Sequence, residues 1–147
     1  MVKTNIRNKV KATDFDYEYA GSNFTEKEVV EKGHQQLSGK ELFSRISNKT
    51  FFGEYPMGYK FVTEIYENGT AEGINNVGST DSGNWTIDYI KNTLQLEWEN
   101  IWIDTITRAY IVNGNIEFYD TDTGNWRTTF KIFDEIENRI TTRQLNV

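Results

Sequence analysis

Thr80-Asp81-Ser82-Gly83-Asn84-Trp85 returns later in the chain as Thr121-Asp122-Thr123-Gly124-Asn125-Trp126. Each copy follows an Asn-Gly pair and a short strand-like run, with Asn68-Gly69 ahead of the first and Asn113-Gly114 ahead of the second. Asn-Gly favours a two-residue hairpin turn because both central residues must take positive φ, and Asp-x-Gly phrases serve slightly longer loops for a related steric reason. The duplication therefore predicts a meander of antiparallel hairpins with a turn at each Asp-x-Gly.

Outward from the two copies the residues alternate with a period of two. Trp85, Ile87 and Tyr89 oppose Thr86 and Asp88, and Leu94, Leu96 and Trp98 oppose Gln95, Glu97 and Glu99. Ile116 and Phe118 oppose Asn115 and Glu117, while Trp126, Thr128, Phe130 and Ile132 oppose Arg127, Thr129 and Lys131. Such alternation marks strands with one buried and one wet face. Strands are expected near residues 50–55, 58–67, 70–77, 84–90, 93–99, 103–112, 115–120 and 125–134, with a further tight turn at Lys91-Asn92. Eight short strands joined by hairpins point to an all-β fold, a single eight-stranded antiparallel up-and-down barrel, because closure removes exposed edges. Phe61, Trp85, Tyr89, Trp98, Phe118, Trp126 and Phe130 are expected inside it, with Tyr110 and Arg108 near its mouth.

Ahead of the strands, Thr25-Glu26-Lys27-Glu28 has the form of a capping box and predicts a helix to about Gln36, weakened by Gly33. Ser38-Gly39-Lys40-Glu41 is a second capping box, opening a short helix through Ile46 whose Leu42, Phe43 and Ile46 suit the covering of a barrel end. Residues 1–21 are expected to form a flexible arm, in which alternating Phe15, Tyr17 and Tyr19 would also suit a strand added to a second protomer. Residues 22–147 read as one domain.

Composition agrees with this outline. The 147 residues hold 37% hydrophobic and 14% aromatic residues, so 9 Phe, 8 Tyr and 4 Trp must supply much of the core. Aromatic rings bury large areas and pack well on pleated sheets. The net charge of −6 argues against nucleic acid or anionic lipid as a partner. With no cysteine there is no disulfide framework, thiolate metal site or cysteine nucleophile. No stretch resembles a signal peptide or a membrane helix. The reading is a cytoplasmic protein if the chain is native as given, and an extracytoplasmic one if a signal has been removed.

Catalytic constellations are sparse. His34 is the single histidine, in a polar stretch with no orienting partner or pocket signalled, and a general base needs both. Glu97 and Glu99 share one strand face about 7 Å apart, a separation glycosidases use, but they oppose the buried face and read as solvated. Asp120-Thr121-Asp122-Thr123-Gly124-Asn125 approaches a calcium loop, yet its glycine stands at the fifth position where an EF-hand needs the sixth, and a hairpin accounts for it. No catalytic residue, cofactor or metal is expected.

Leu37-Ser38-Gly39-Lys40-Glu41-Leu42, then Ser47-Asn48-Lys49-Thr50-Phe51-Phe52-Gly53, Asn68-Gly69-Thr70 with Gly73, and Gly83-Asn84-Trp85 follow one another in an order that resembles small calycin-like, or lipocalin-like, β-barrels of bacterial proteins of unknown function. The likeness covers residues 37–133 and implies a barrel preceded by a short helix. Function is then expected to lie in binding rather than catalysis. The leading expectation is a small apolar or aromatic ligand in the barrel interior or mouth, held by Phe61, Trp85, Tyr89, Trp98, Tyr110, Phe118, Trp126 and Phe130. The alternative is an acidic protein-binding module that masks a basic partner through Asp88, Glu97, Glu99 and Glu117.

Overall fold

The computed structural model describes residues 6–18, 21–56 and 58–132. Two capped helices come first. In α1 (Glu26–Glu31) and α2 (Gly39–Ile46), Thr25 and Ser38 accept the N–H of Glu28 and Glu41, whose carboxylates reach back to the capping residues. α1 stops well before the expected Gln36. Gly33 takes φ +82, its N–H bonds to Val30 O, and the N–H of His34 bonds to Val29 O. That pair of bonds is the Schellman closure, which satisfies the last carbonyls and ends the helix at a residue able to adopt the left-handed conformation.

Eight strands follow: β1 (Lys49–Tyr55), β2 (Tyr59–Ile65), β3 (Thr70–Asn75), β4 (Thr80–Asp88), β5 (Thr93–Trp98), β6 (Thr105–Val112), β7 (Asn115–Asp120) and β8 (Trp126–Ile132). Each runs antiparallel to the next, and β8 pairs back on β1 from Phe51↔Ile132 to Glu54↔Thr129, which closes the barrel. The expected eight-stranded up-and-down barrel is therefore the observed one, and it is compatible with a calycin-like fold. Asn113 and Gly114 take φ of 53 and 81, as the expected two-residue turn requires. At Asn68-Gly69 only Gly69 has positive φ, at 92, and at Lys91-Asn92 only Asn92, at 56, within a longer connection from Asp88 to Thr93.

The two copies of the repeated phrase do not share a structure. Thr121–Asn125 forms the β7–β8 loop, with Gly124 at φ +72 and its N–H on Asp120 O. The first copy lies wholly within β4, paired with β3 from Ile74↔Thr80 to Thr70↔Asn84. Its turn lies earlier, at residues 76–79, where Gly78 has φ +84 and the Asn75 side-chain oxygen accepts the N–H of Val77 and Ser79. Gly83 serves by lacking a side chain, since a Cβ there would overlap the Glu97 carbonyl.

Sequence alternation is clean where a wall is bare and absent where both faces are covered. On β4 and β5, Trp85, Leu94 and Leu96 are buried and Asn84, Thr86, Asp88 and Glu97 exposed. On the outer wall of β1–β3, Phe52, Val62 and Ile74 are covered by Ile6, Val10 and Phe15 of the N-terminal segment. The outer wall of β6–β8 carries Tyr110, Val112, Tyr119 and Trp126 under Phe24 and Val29. Lys9 Nζ on Glu64 at 2.9 Å and the Tyr17 hydroxyl on Gly53 O at 2.7 Å help tie residues 6–18 to the wall. One end of the barrel is stoppered by α2, whose Leu42, Phe43 and Ile46 join the interior core with Leu37. Among the described residues no helix is long and apolar enough to cross a membrane.

Candidate ligand site at the open end of the barrel

The interior is filled by aromatic rings through its middle. Phe130 stacks on Phe51 at 5.0 Å between centroids and meets Phe118 and Phe61 edge-on at 4.6 and 5.9 Å. The Phe61 ring lies over Gly53, its partner on the neighbouring strand, where any Cβ would overlap it. An eight-stranded barrel is just wide enough for side chains to fill it, so here the interior is core.

At the end opposite α2 the aromatic layer opens to solvent. Tyr55 closes β1, stacks on Tyr59 at 5.5 Å and lies tilted against Phe61 at 5.4 Å. Trp98 closes β5 and meets Trp102 of the following loop at 4.7 Å, and Trp102 lies 5.9 Å from Phe61. Trp102 enters the mouth over Gly73, in space that a side chain at 73 would occupy. Its indole N–H is buried without a hydrogen-bond partner.

The loop that carries Trp102 is held by one carboxylate. Asp81, 3% exposed, accepts the backbone N–H groups of Asn100, Ile101 and Trp102 at 3.0–3.3 Å, together with Ser82 N–H at 2.8 Å and the Asn100 side-chain amide at 3.0 Å. Burial alone would raise the Asp81 carboxyl, but these backbone N–H groups outweigh it and hold it below its ordinary value. Asp104 anchors the other side of the loop by accepting Trp98 N–H at 2.7 Å. At the rim, burial raises the Tyr55 hydroxyl against an opposing hydrogen bond with Asn75.

Of the interior residues expected from sequence, Phe61, Trp85, Trp98, Phe118 and Phe130 belong to the central cluster or pack on it. They do not form one site. Trp85 lies near the α2 end, 5.7 Å from Phe43, and gives its indole N–H to Tyr66 O at 2.7 Å. Tyr89 lies beyond the last β4–β5 pair and is 56% exposed beside Gly39. Tyr110 is on the outer wall, its hydroxyl bonded to Glu26 at 2.8 Å.

Trp126 is also outside, for a different reason. The β7–β8 register shifts between Phe118 and Tyr119, so Phe118 faces Thr128 while Tyr119 faces Trp126. A bulge inserts one residue and turns all that precedes it to the opposite face. Sequence alternation across residues 126–132 could not reveal that inversion.

The expected acidic face is also altered. Asp88 and Glu97 are exposed on the bare wall, and Glu99 stands exposed just past the end of β5. Glu117 is fully buried on the outer wall, accepting Ser22 N–H at 2.6 Å, Ser22 Oγ–H at 2.7 Å and the Tyr119 hydroxyl at 2.5 Å. Nearby, Glu26 receives Arg108 through two bonds of 2.6 and 2.8 Å. Burial pushes Glu26 up, and the bonds from Arg108 and Tyr110 overcome it, leaving the carboxyl below its ordinary value. Asp120 uses its carboxylate on the N–H groups of Asp122 and Thr123, and no group of three metal-ligating side chains occurs among the described residues. His34 packs 6.4 Å from Phe24, remote from the mouth.

Tyr55, Tyr59, Trp102 and Asp81 were not anticipated as site residues. The available signal was Ile101-Trp102-Ile103, three apolar residues where a hairpin loop should be polar. Compared with protein-family models, curated proteins and solved structures, the chain matches none.

Proposed function

We propose that this is a non-enzymatic binding protein, a small calycin-like barrel of the bacterial kind, that accepts a small apolar or aromatic ligand at its open end. The observation that carries the reading is Trp102: a ring delivered by a loop stands in an aromatic mouth with its indole N–H unpaired. A buried donor without a partner costs about 1–3 kcal/mol. A ligand that displaces Trp102 and stacks between Tyr55, Phe61 and Trp98 would recover the ring contacts and return the indole to solvent. Aromatic walls with a few polar groups such as Asn75 suit such ligands. The packed interior favours the mouth over the lumen in this reading.

The test is a titration with a neutral aromatic probe, N-phenyl-1-naphthylamine, followed by tryptophan fluorescence at low and high ionic strength. Quenching that is insensitive to salt and altered in Trp102→Ala is expected. No response at probe saturation removes the reading.

A second reading, an acidic module for a basic partner protein, is supported by the bare β4–β5 wall with Asp88 and Glu97 exposed and Glu99 beside it. It loses Glu117. Charge reversal at Glu97 and Glu99 should slow association at low salt, and an unchanged rate would eliminate it.

A further inference from the structure

Outside the barrel, where the N-terminal segment crosses the β2–β3 rim, lies a cleft of about 480 Å³. That volume lies within the range of roughly 300–1,000 Å³ typical of small-molecule sites. Its apolar wall is Val10, Phe15 and Ile74, and its polar rim carries Arg7, Lys11 and Lys60 against one carboxylate, Asp16. In a chain of net charge −6, three cations on one small concavity run against the overall field.

Two of the cations, Arg7 and Lys60, are held in place by hydrogen bonds. Arg7 donates to Gly78 O at 3.3 Å and to Thr80 Oγ1 at 3.2 Å, which fixes its guanidinium across the β3–β4 turn. Lys60 Nζ donates to Phe15 O and Tyr17 O and lies over the Tyr17 ring, which leaves one of its three N–H groups for another acceptor. Lys11 is exposed at the edge. We infer that this cleft is a second binding site, distinct from the mouth, for a small organic anion whose apolar body rests on Val10, Phe15 and Ile74 and whose charged head is met by Arg7, Lys11 and Lys60. Asp16 lowers the positive charge of the cleft without cancelling it. The site exists only while residues 7–16 lie on the wall, so occupancy should also hold that segment in place.

The test uses the full chain and 8-anilinonaphthalene-1-sulfonate, an aromatic monoanion, with calorimetry and amide chemical shifts as readouts. Shifts are expected at residues 7–16 and 74–78. Affinity should fall as salt rises, and Arg7→Gln and Lys11→Glu should each weaken it by about three- to fivefold, as for exposed charges. Trp102→Ala should leave it unchanged. Binding indifferent to both charge variants overturns the inference, as do shifts confined to Tyr55, Trp98 and Trp102 or competition with the neutral probe. A sulfonate bound at the cleft beside a neutral probe that does not bind would retire the mouth reading and leave this one standing.

Discussion

The Trp102 indole lies over Gly73, in the space that a side chain at 73 would fill. A loop residue and a strand residue thus share one volume at the barrel mouth. Substituting Gly73 should expel the indole before it disturbs the barrel. Overpacked sites cost about 1–3 kcal/mol, and Gly73→Ala should fall in that range by urea denaturation. Because both residues compete for one space, Gly73→Ala combined with Trp102→Ala should be less destabilising than the two effects added. Strict additivity in that cycle would show that Trp102 does not occupy the position described.

Asp81 offers the converse experiment. Its carboxylate gathers three consecutive loop N–H groups, and hydrogen bonds to a charged group contribute about 1.5–3 kcal/mol. Asp81→Asn keeps the shape and removes the charge, so it should loosen residues 99–104. Faster amide exchange at Asn100–Trp102 is expected, with the interior amides of β4 still protected. Equal loss of protection throughout would mean that Asp81 supports the barrel rather than the loop.

The repeated phrase predicts a contrast between its glycines. Gly124 is required for its φ of +72, a conformation that asparagine also adopts, so Gly124→Asn should cost under about 1 kcal/mol. Gly83 is required because Glu97 O occupies the place of a Cβ. Gly83→Asn should therefore cost several times more, and equal midpoints in thermal unfolding would contradict this division.

These two glycines also show what the sequence could disclose. Turn chemistry and period-two alternation are local, so the hairpins, the strand number and the closed barrel were legible in residues such as Asn113-Gly114 and Leu94–Trp98. A glycine needed for φ and one needed for clearance look alike in a sequence. The difference lies in Glu97, a residue on the neighbouring strand. Glu117 and Trp126 were misplaced for the same kind of reason: Ser22 and α1 cover an outer wall that alternation alone marks as wet, and the bulge at Phe118/Tyr119 inverts the face ahead of it. The mouth was only half legible, because Trp98 announces itself on a strand while Trp102 sits in a loop.

Glu117 should accordingly behave as a core residue. Removing its carboxylate leaves the Ser22 N–H, the Ser22 hydroxyl and the Tyr119 hydroxyl without their acceptor, and a buried donor so stranded costs about 1–3 kcal/mol, whereas a change at an exposed site such as Glu97 lies within about 0.5 kcal/mol. Glu117→Ala against Glu97→Ala in parallel urea titrations checks this, and comparable effects would place Glu117 at the surface.

Beside Glu41, Asp88 and Asp120, which are also held low, the carboxylates of Asp81 and Glu26 contribute to how stability responds to acid. Both are held in the folded state below their ordinary values of 3.8 and 4.5, so the unfolded chain takes up protons first as pH falls. The stability they supply is complete above those ordinary values and is lost as pH drops through the lowered ones. At the alkaline side burial, with the bond to Glu26, raises the Tyr110 hydroxyl from 10.0 to about 12. Its contribution is whole below 10.0 and disappears as pH rises from there toward about 12. The urea midpoint should therefore be level through neutral pH and decline at both ends. Asp81→Asn should make the acid limb shallower and leave the alkaline one, and adding Glu26→Gln should weaken the acid limb further and also the alkaline one, because Glu26 helps to raise Tyr110. Tyr110→Phe should make the alkaline limb shallower, with the raised hydroxyls of Tyr17, Tyr55 and Tyr66 supplying the rest. An acid limb of unchanged slope in the double variant would assign acid unfolding to other carboxylates.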